Sequence, residues 1–298
     1  MSSTSISRQT RIQIALLTLL FVGVYFGIRS MPNTQCAILH YEVTEETANG
    51  VEMCADGPGG MMDLERVKFP GRLLVHSANT ARVGQLYHGD ISITGPKGND
   101  LLPHELAITH AEKLHLLVVH ESHSDFHHLH PVPVDNTGRW QFSFTPQRSG
   151  TYDLYVEGVP LRTRKQLIVH STLTVEGSAS ARPDNSDLSP SLDLQWDFGD
   201  KPVRRGSWVH FSLTLRDKSG QPVELERFMD SYSHVVALRE GTTGFAHMHP
   251  NSDASPDNPM QPSFDFTFYS GESGRYRFWA QFQIDGQSLF IPHDVEVL

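Results

Sequence analysis

The chain has little cysteine, little positive charge and none of the common enzyme signatures. Its 298 residues include only Cys36 and Cys54, which excludes a disulfide-dense miniprotein and a four-cysteine zinc module. Lys and Arg number 24 against 34 Asp and Glu, a net charge of −10. That balance suits no phosphate-backbone binder, so nucleic acid is set aside. Past the N-terminal segment no sustained helical period occurs, which argues against a helical fold. There is no Gly-x-Ser-x-Gly elbow, phosphate loop or His-Glu-x-x-His; a non-enzymatic protein is expected, with a histidine-ligated metalloenzyme as the minor alternative. With 38% apolar and 19% charged residues, a wholly disordered chain is also excluded. What the chain does have is histidine, 17 in all, eight of them between His104 and His130. Histidine is the common metal ligand and the side chain that titrates near neutrality.

The N-terminus indicates a compartment. Ile12 to Ile28 is apolar except for Gln13 and Thr18, with Arg8 and Arg11 before it and Arg29 after. As a helix its 17 residues would reach about 26 Å, the short end of a membrane span. No small-x-small cleavage site follows, so an uncleaved signal-anchor is expected over 12–28, with a cleaved signal peptide as the alternative. No Lys or Arg occurs between Arg29 and Arg66, so residues 1–11 should stay cytoplasmic and the rest lie outside the cell membrane, in the periplasm of a bacterium. An oxidising compartment suits a Cys36–Cys54 disulfide within the connector 29–68. The competing reading makes both cysteines soft-metal ligands beside Met53, Met61 and Met62.

From about Phe69 short β-type runs alternate with Gly, Pro, Asn and Asp: Arg72–His76, Asp90–Thr94, His115–His120, Trp140–Phe144 and Thr151–Val156. That spacing predicts an all-β sandwich or barrel. The pattern then repeats. His115-Leu-Leu-Val-Val returns as His234-Val-Val-Ala-Leu, and Phe126-His-His128-Leu-His130-Pro131 as Phe245-Ala-His247-Met-His249-Pro250, all at an offset of 119. Ser149-Gly150-Thr-Tyr152 returns as Ser273-Gly274-Arg-Tyr276 at an offset of 124, the difference absorbed by a polar, Pro-rich insertion from Asn251 to Ser263. The expected organisation is one repeat over 69–177, a Ser/Asp/Pro-rich linker over 178–191, and a second repeat over 192–298. Gly-x-Tyr opening a strand resembles the tyrosine corner of immunoglobulin-like sandwiches, which would make Tyr152 and Tyr276 the corner residues. The fold class is therefore two tandem Ig-like β-sandwiches behind a transmembrane helix. The alternating aromatics Trp140, Phe142, Phe144 and Phe264, Phe266, Phe268 belong in the cores.

Read as one hairpin, 115–131 places His115 opposite His130, Leu117 opposite His128 and Val119 opposite Phe126, with Glu121 to Ser124 as the loop. Period-two alternation then puts His115, His128 and His130 on one face, close enough to meet one ion. The same construction groups His234, His247 and His249. Imidazole suits copper and zinc; the affinity order favours Cu(II), and Met248 offers a thioether for Cu(I), so copper ranks first and zinc second. Structural hydrogen-bonding roles remain the alternative for both triads. His104, His110, His120, His123 and His127 are expected in exposed loops or edges, and His170 and His293 are the outside candidates for a fourth ligand.

The run from His115 through Asp125-Phe126 to His128-x-His130-Pro131 and Gly-x-Tyr152 resembles the YtkA-like family of bacterial extracytoplasmic domains. The second copy, ending Phe278-Trp279-Ala-Gln-Phe282, is similar. The resemblance covers roughly 70–176 and 190–298 and implies small Ig-like domains, often lipid-linked or anchored, without an established activity. Cys36 lacks a lipobox, so lipidation is not implied. Gly244 stands where the first copy has Asp125. Together these readings give a membrane-anchored, metal-binding, copper-handling protein, with a non-enzymatic module that assembles with an envelope protein partner as the competing class.

Overall fold

The structure is a computed structural model and describes residues 7–29, 42–47, 50–54, 59–76, 79–95, 97–178, 192–229, 231–252 and 256–298. The chain divides into two units, Met1–Ala37 and Ile38–Leu298. In the first, α1 spans Arg8–Arg29. Ser7 starts it: its hydroxyl accepts from the Thr10 N–H at 3.1 Å, an N-cap bond. The helix exposes apolar side chains such as Leu16, Leu19, Leu20 and Phe21 and is long and apolar enough to cross a membrane.

In the second unit, β1 (Glu42–Thr47) and β2 (Gly50–Cys54) form a hairpin. The expected Cys36–Cys54 pairing lies outside the described residues, as does the expected linker beyond Ser178. Two short strands follow, β3 (Gly59–Gly60) and β4 (Met62–Asp63). The first repeat holds β5 (Arg72–His76), β6 (Ala81–Arg82), β7 (Tyr87–Thr94), β8 (Leu114–His120), β9 (Phe126–Leu129), β10 (Val132–Val134), β11 (Arg139–Phe144), β12 (Gly150–Gly158) and β13 (Leu167–Glu176). One sheet runs β10-β11-β7-β5 and the other β6-β13-β12-β8-β9. This is an Ig-like arrangement of two sheets with sequentially distant strands as neighbours. The second repeat holds β14 (Leu192–Asp197), β15 (Ser207–Asp217), β16 (His234–Arg239), β17 (Gly244–Met248), β18 (Ser263–Ser270), β19 (Gly274–Ile284) and β20 (Gln287–Val297).

Each sandwich closes over its own core. Leu114, Leu116, Val118, Trp140, Phe142 and Phe144 pack in the first; Val235, Ala237, Phe264, Phe266, Phe268 and Phe278 pack in the second. Both corners form. The Tyr276 hydroxyl donates to Glu272 O at 2.9 Å, and the Tyr152 hydroxyl accepts from the Arg148 N–H at 3.0 Å while donating to the buried Asp125 carboxylate.

The connector does more than connect. In the second repeat the sheets run β14-β15-β18-β3 and β20-β19-β16-β17-β4. Strand β3 pairs in parallel with β18, taking the place beside it that β10 takes beside β11 in the first repeat, and β4 pairs antiparallel with β17. The polar insertion after Pro250 contributes no strand among its described residues, so a segment that precedes the first repeat completes the second. This also accounts for Gly244. A Cβ there would lie 2.0 Å from Met62 O, and the residue has φ +150°, a conformation glycine tolerates.

The two repeats pack sheet against sheet. Strand β8 is buried on both faces: alternate residues enter its own core, while Leu117 and Val119 join Phe126, Tyr155, Ile168 and Leu64 against Val236, Leu238, Phe245 and Trp279. The contacts obey a pseudo-two-fold. Phe126 stacks on Trp279 at 5.6 Å, and its counterpart Phe245 meets Tyr155, the counterpart of Trp279, at 5.4 Å. An isologous contact of this kind is what a symmetric dimer uses. Here it lies within one chain.

Candidate metal centre

Backbone register builds each triad. Strands β8 and β9 pair Leu117 with His128 and Val119 with Phe126, so His115 and His130 fall opposite each other at the end of the ladder. Strands β16 and β17 pair Val236 with His247, which sets His234 and His249 likewise. Within each triad, one ring nitrogen per histidine lies within 4.8 Å of the others. Two groups of three histidines that could hold a metal ion are therefore present.

The hydrogen bonds fix which nitrogens are available. His115 Nε2 donates to Thr109 O at 3.0 Å, and His128 Nδ1 donates to Gln281 Oε1 at 2.9 Å. Their remaining nitrogens, His115 Nδ1 and His128 Nε2, face each other at 3.4 Å. Two lone pairs at that distance repel unless something sits between them. Imidazoles bound to one tetrahedral ion at ~2.0–2.1 Å have their nitrogens about 3.4 Å apart. In the second triad His247 Nδ1 lies 3.4 Å from Glu157 Oε2, to which it donates, leaving Nε2 buried and without a partner. Both nitrogens of His234 and the Nε2 of His130 are buried and unpartnered as well. Such orphaned atoms are costly in a packed interior and point to a ligand.

The supporting residues cross between repeats. Glu157 lies beside His115 on β12, and Gln281 beside His234 on β19; the 124-residue offset relates them. Yet Glu157 orients His247 of the other repeat, and Gln281 orients His128 of the other repeat. Outer partners of this kind fix ring orientation and tautomer at metal sites. The sequence reading missed both residues. Their signal was a polar side chain at matched positions inside otherwise apolar strands, Tyr155-Val-Glu157 and Trp279-Ala-Gln281.

Burial keeps five of the rings neutral. Burial lowers His115 to about 4 and His130 to about 3. It also pushes His128, His234 and His249 well below the usual range, with neighbouring imidazoles adding to the effect. Burial alone would raise Glu157, but the bond and charge of His247, then His115 and Gln166, hold it at about 2. Neutral imidazole is the form that binds a metal.

The remaining histidines sort differently from expectation. His110 is not a loop bystander: its ring stacks on His249 at 3.7 Å, and burial lowers it to about 4. His120 is buried, donating to Ser149 O at 3.1 Å. His123 and His127 are half-buried, and His104 is exposed as expected. Neither outside candidate joins a triad. His170 pairs with Asp153 at 2.7 Å, and His293 stacks on Trp196 at 5.0 Å. Met248 also lies elsewhere. It alternates with His247 and His249 and so points into the second core, where no ion at the histidines reaches it.

Three solved structures show a distant likeness. Red sea bream transglutaminase is 10% identical over 78% of this chain and 32% of its own, with a TM-score of 0.25. Alpha-2-macroglobulin of E. coli is 9% identical over 78% of this chain and 14% of its own, TM-score 0.25. The fibronectin(III)-like modules of Clostridium thermocellum CbhA are 11% identical over 76% of this chain and 93% of their own, TM-score 0.19. The chain thus spans about a third or less of the first two. No curated protein matches it. A family model matches both repeats, over residues 73–177 and 191–298. By that match the chain belongs to the family described as a domain of unknown function (DUF8832).

Proposed function

We propose that this is a membrane-anchored, extracytoplasmic metal-binding protein that handles copper through its two histidine triads. The carrying observation is the set of converging imidazole nitrogens: those of His130, His234 and His247 are buried without partners, and in His115, His128 and His247 the opposite ring nitrogen is tied down. A structural role would leave those atoms bonded, as it does in His120 and His170. Three imidazoles suit Cu(II) and Zn(II), and the affinity order places Cu(II) first. Met248 lends no support to Cu(I), so the copper reading rests on the imidazoles alone. The resemblance to YtkA-like domains fits the compartment implied by α1 and the basic residues before it. The groups present bind and orient an ion, and the reading is non-enzymatic.

Calorimetric titration of the full chain in detergent tests the proposal. Two Cu(II) or Zn(II) per chain are expected. His128→Ala and His247→Ala should each lose one. Unchanged stoichiometry in both variants, with only a lowered melting temperature, would show that these histidines are structural.

A further inference from the structure

The two triads are neighbours. Ring centroids within the first are 5.2–5.6 Å apart and within the second 4.6–5.9 Å. Across the interface His128 lies 5.0 Å from His247, His115 lies 5.9 Å from His247, and His128 lies 6.2 Å from His234. For these pairs the separation between triads is close to that within them, and two ions would share one pocket at the pseudo-two-fold.

Charge and coordination both leave something to be supplied. Each triad offers three imidazoles, one short of a tetrahedral set. The carboxylate hydrogen-bonded to these rings is Glu157, and it is engaged by His247 and by Gln166 Nε2. Two divalent cations would thus carry four positive charges against one negative, in a site where buried charge must be compensated. Above the pocket, Phe228 packs on His130 of the first repeat at 5.6 Å and on His234 of the second at 5.9 Å. His110 covers the other side, on His249 and, at 6.3 Å, beside His115.

We infer that the six histidines form one paired-metal centre, in which two ions held by the facing triads share a bridging small anion such as hydroxide. This rests on the metal-binding reading. Each ion takes its fourth ligand from the bridge, and a hydroxide bridge offsets one of the three positive charges that Glu157 leaves. Each repeat also orients a ligand of the other through Glu157 and Gln281, so the pair forms only when both repeats are docked.

The test uses the full chain in detergent, loaded with two equivalents of Cu(II), with azide as the probe anion. Electron paramagnetic resonance of the frozen sample should show much less isolated Cu(II) signal than the copper measured by metal analysis. Azide should bind once per two coppers. In His128→Ala and in His247→Ala the signal should return to that of one isolated ion accounting for all copper. Wild-type protein with an isolated signal equal to its copper, and one azide per ion, would overturn the pairing and leave metal binding by separate triads intact. Wild-type protein that takes up one copper in all, and either variant taking up none, would overturn it in favour of one shared site. No copper uptake at all would remove the metal reading itself. The wild-type measurements decide the matter even if a variant does not fold.

Discussion

Asp125 and Gly244 occupy one position in two copies and do opposite work. Asp125 is fully buried, accepts from the Tyr152 hydroxyl and the Gln147 N–H, and stands 3.1 Å from His127 Nε2. Burial alone would raise its pKa, but His127, then Tyr152 and the Gln147 N–H, hold it below the usual carboxylate range. Its folded pKa is therefore depressed, so its stabilisation is complete above the unfolded value of ~4 and is lost as pH falls through the folded value. Asp125→Asn keeps the size of the side chain and removes the charge. It should cost about 1–3 kcal/mol at neutral pH and flatten the acid limb of the stability profile below pH ~4. Denaturant melts across that range measure both, and an unaltered acid limb would show that Asp125 contributes no linkage. In the second copy glycine stands where that carboxylate would be, and the corner tyrosine donates to Glu272 O.

At the scale of elements, the connector makes the clearest prediction. Leu64 is buried between the repeats and its N–H donates to Thr243 O at 2.9 Å. Leu64→Ala should cost about 2–5 kcal/mol as a core truncation. A surface-like loss of a few tenths, read from chemical denaturation, would show that the clasp is loose in solution. Deleting the residues before Phe69 should expose the edges of β17 and β18 and promote self-association, measured by light scattering. Much here was legible beforehand. The hairpin register His115 to Pro131 follows from period-two alternation and a four-residue loop, both local, and the observed pairs match it. The tyrosine corners, the aromatic cores and the tandem sandwiches were readable for the same reason. Strands β3 and β4 were not, because two residues of Gly-Gly or Met-Asp carry no periodicity. Nor were the crossed contacts of Glu157 and Gln281, which exist only after the sheets dock. A hint did stand in β8 and β16, whose unbroken apolar runs imply strands buried on both faces.

For the whole molecule, the proposed paired centre would link metal to stability. Its ligands come from both repeats, so an ion that binds only the folded chain should stabilise both together, by about 2.7 kcal/mol at a hundredfold excess over Kd. Scanning calorimetry should show one transition that moves upward with metal. Two transitions, of which only one moves, would mean that the repeats unfold separately.

The clasp of β3 and β4 also sets an order of events during synthesis. A ribosome delivers Gly59–Leu64 early, but their partners, β17 and β18, span Gly244–Met248 and Ser263–Ser270 and arrive near the end. Until then the first repeat has its own sheets complete and the early segment has nothing to pair with. The second repeat, once made, must close around a strand that has been waiting some 200 residues upstream. Contacts of such long range form slowly, after local ones. Consequently a chain stopped after the first repeat holds half a histidine pocket and an unclaimed strand, and the second repeat is complete only when its sheets reach back to β3 and β4.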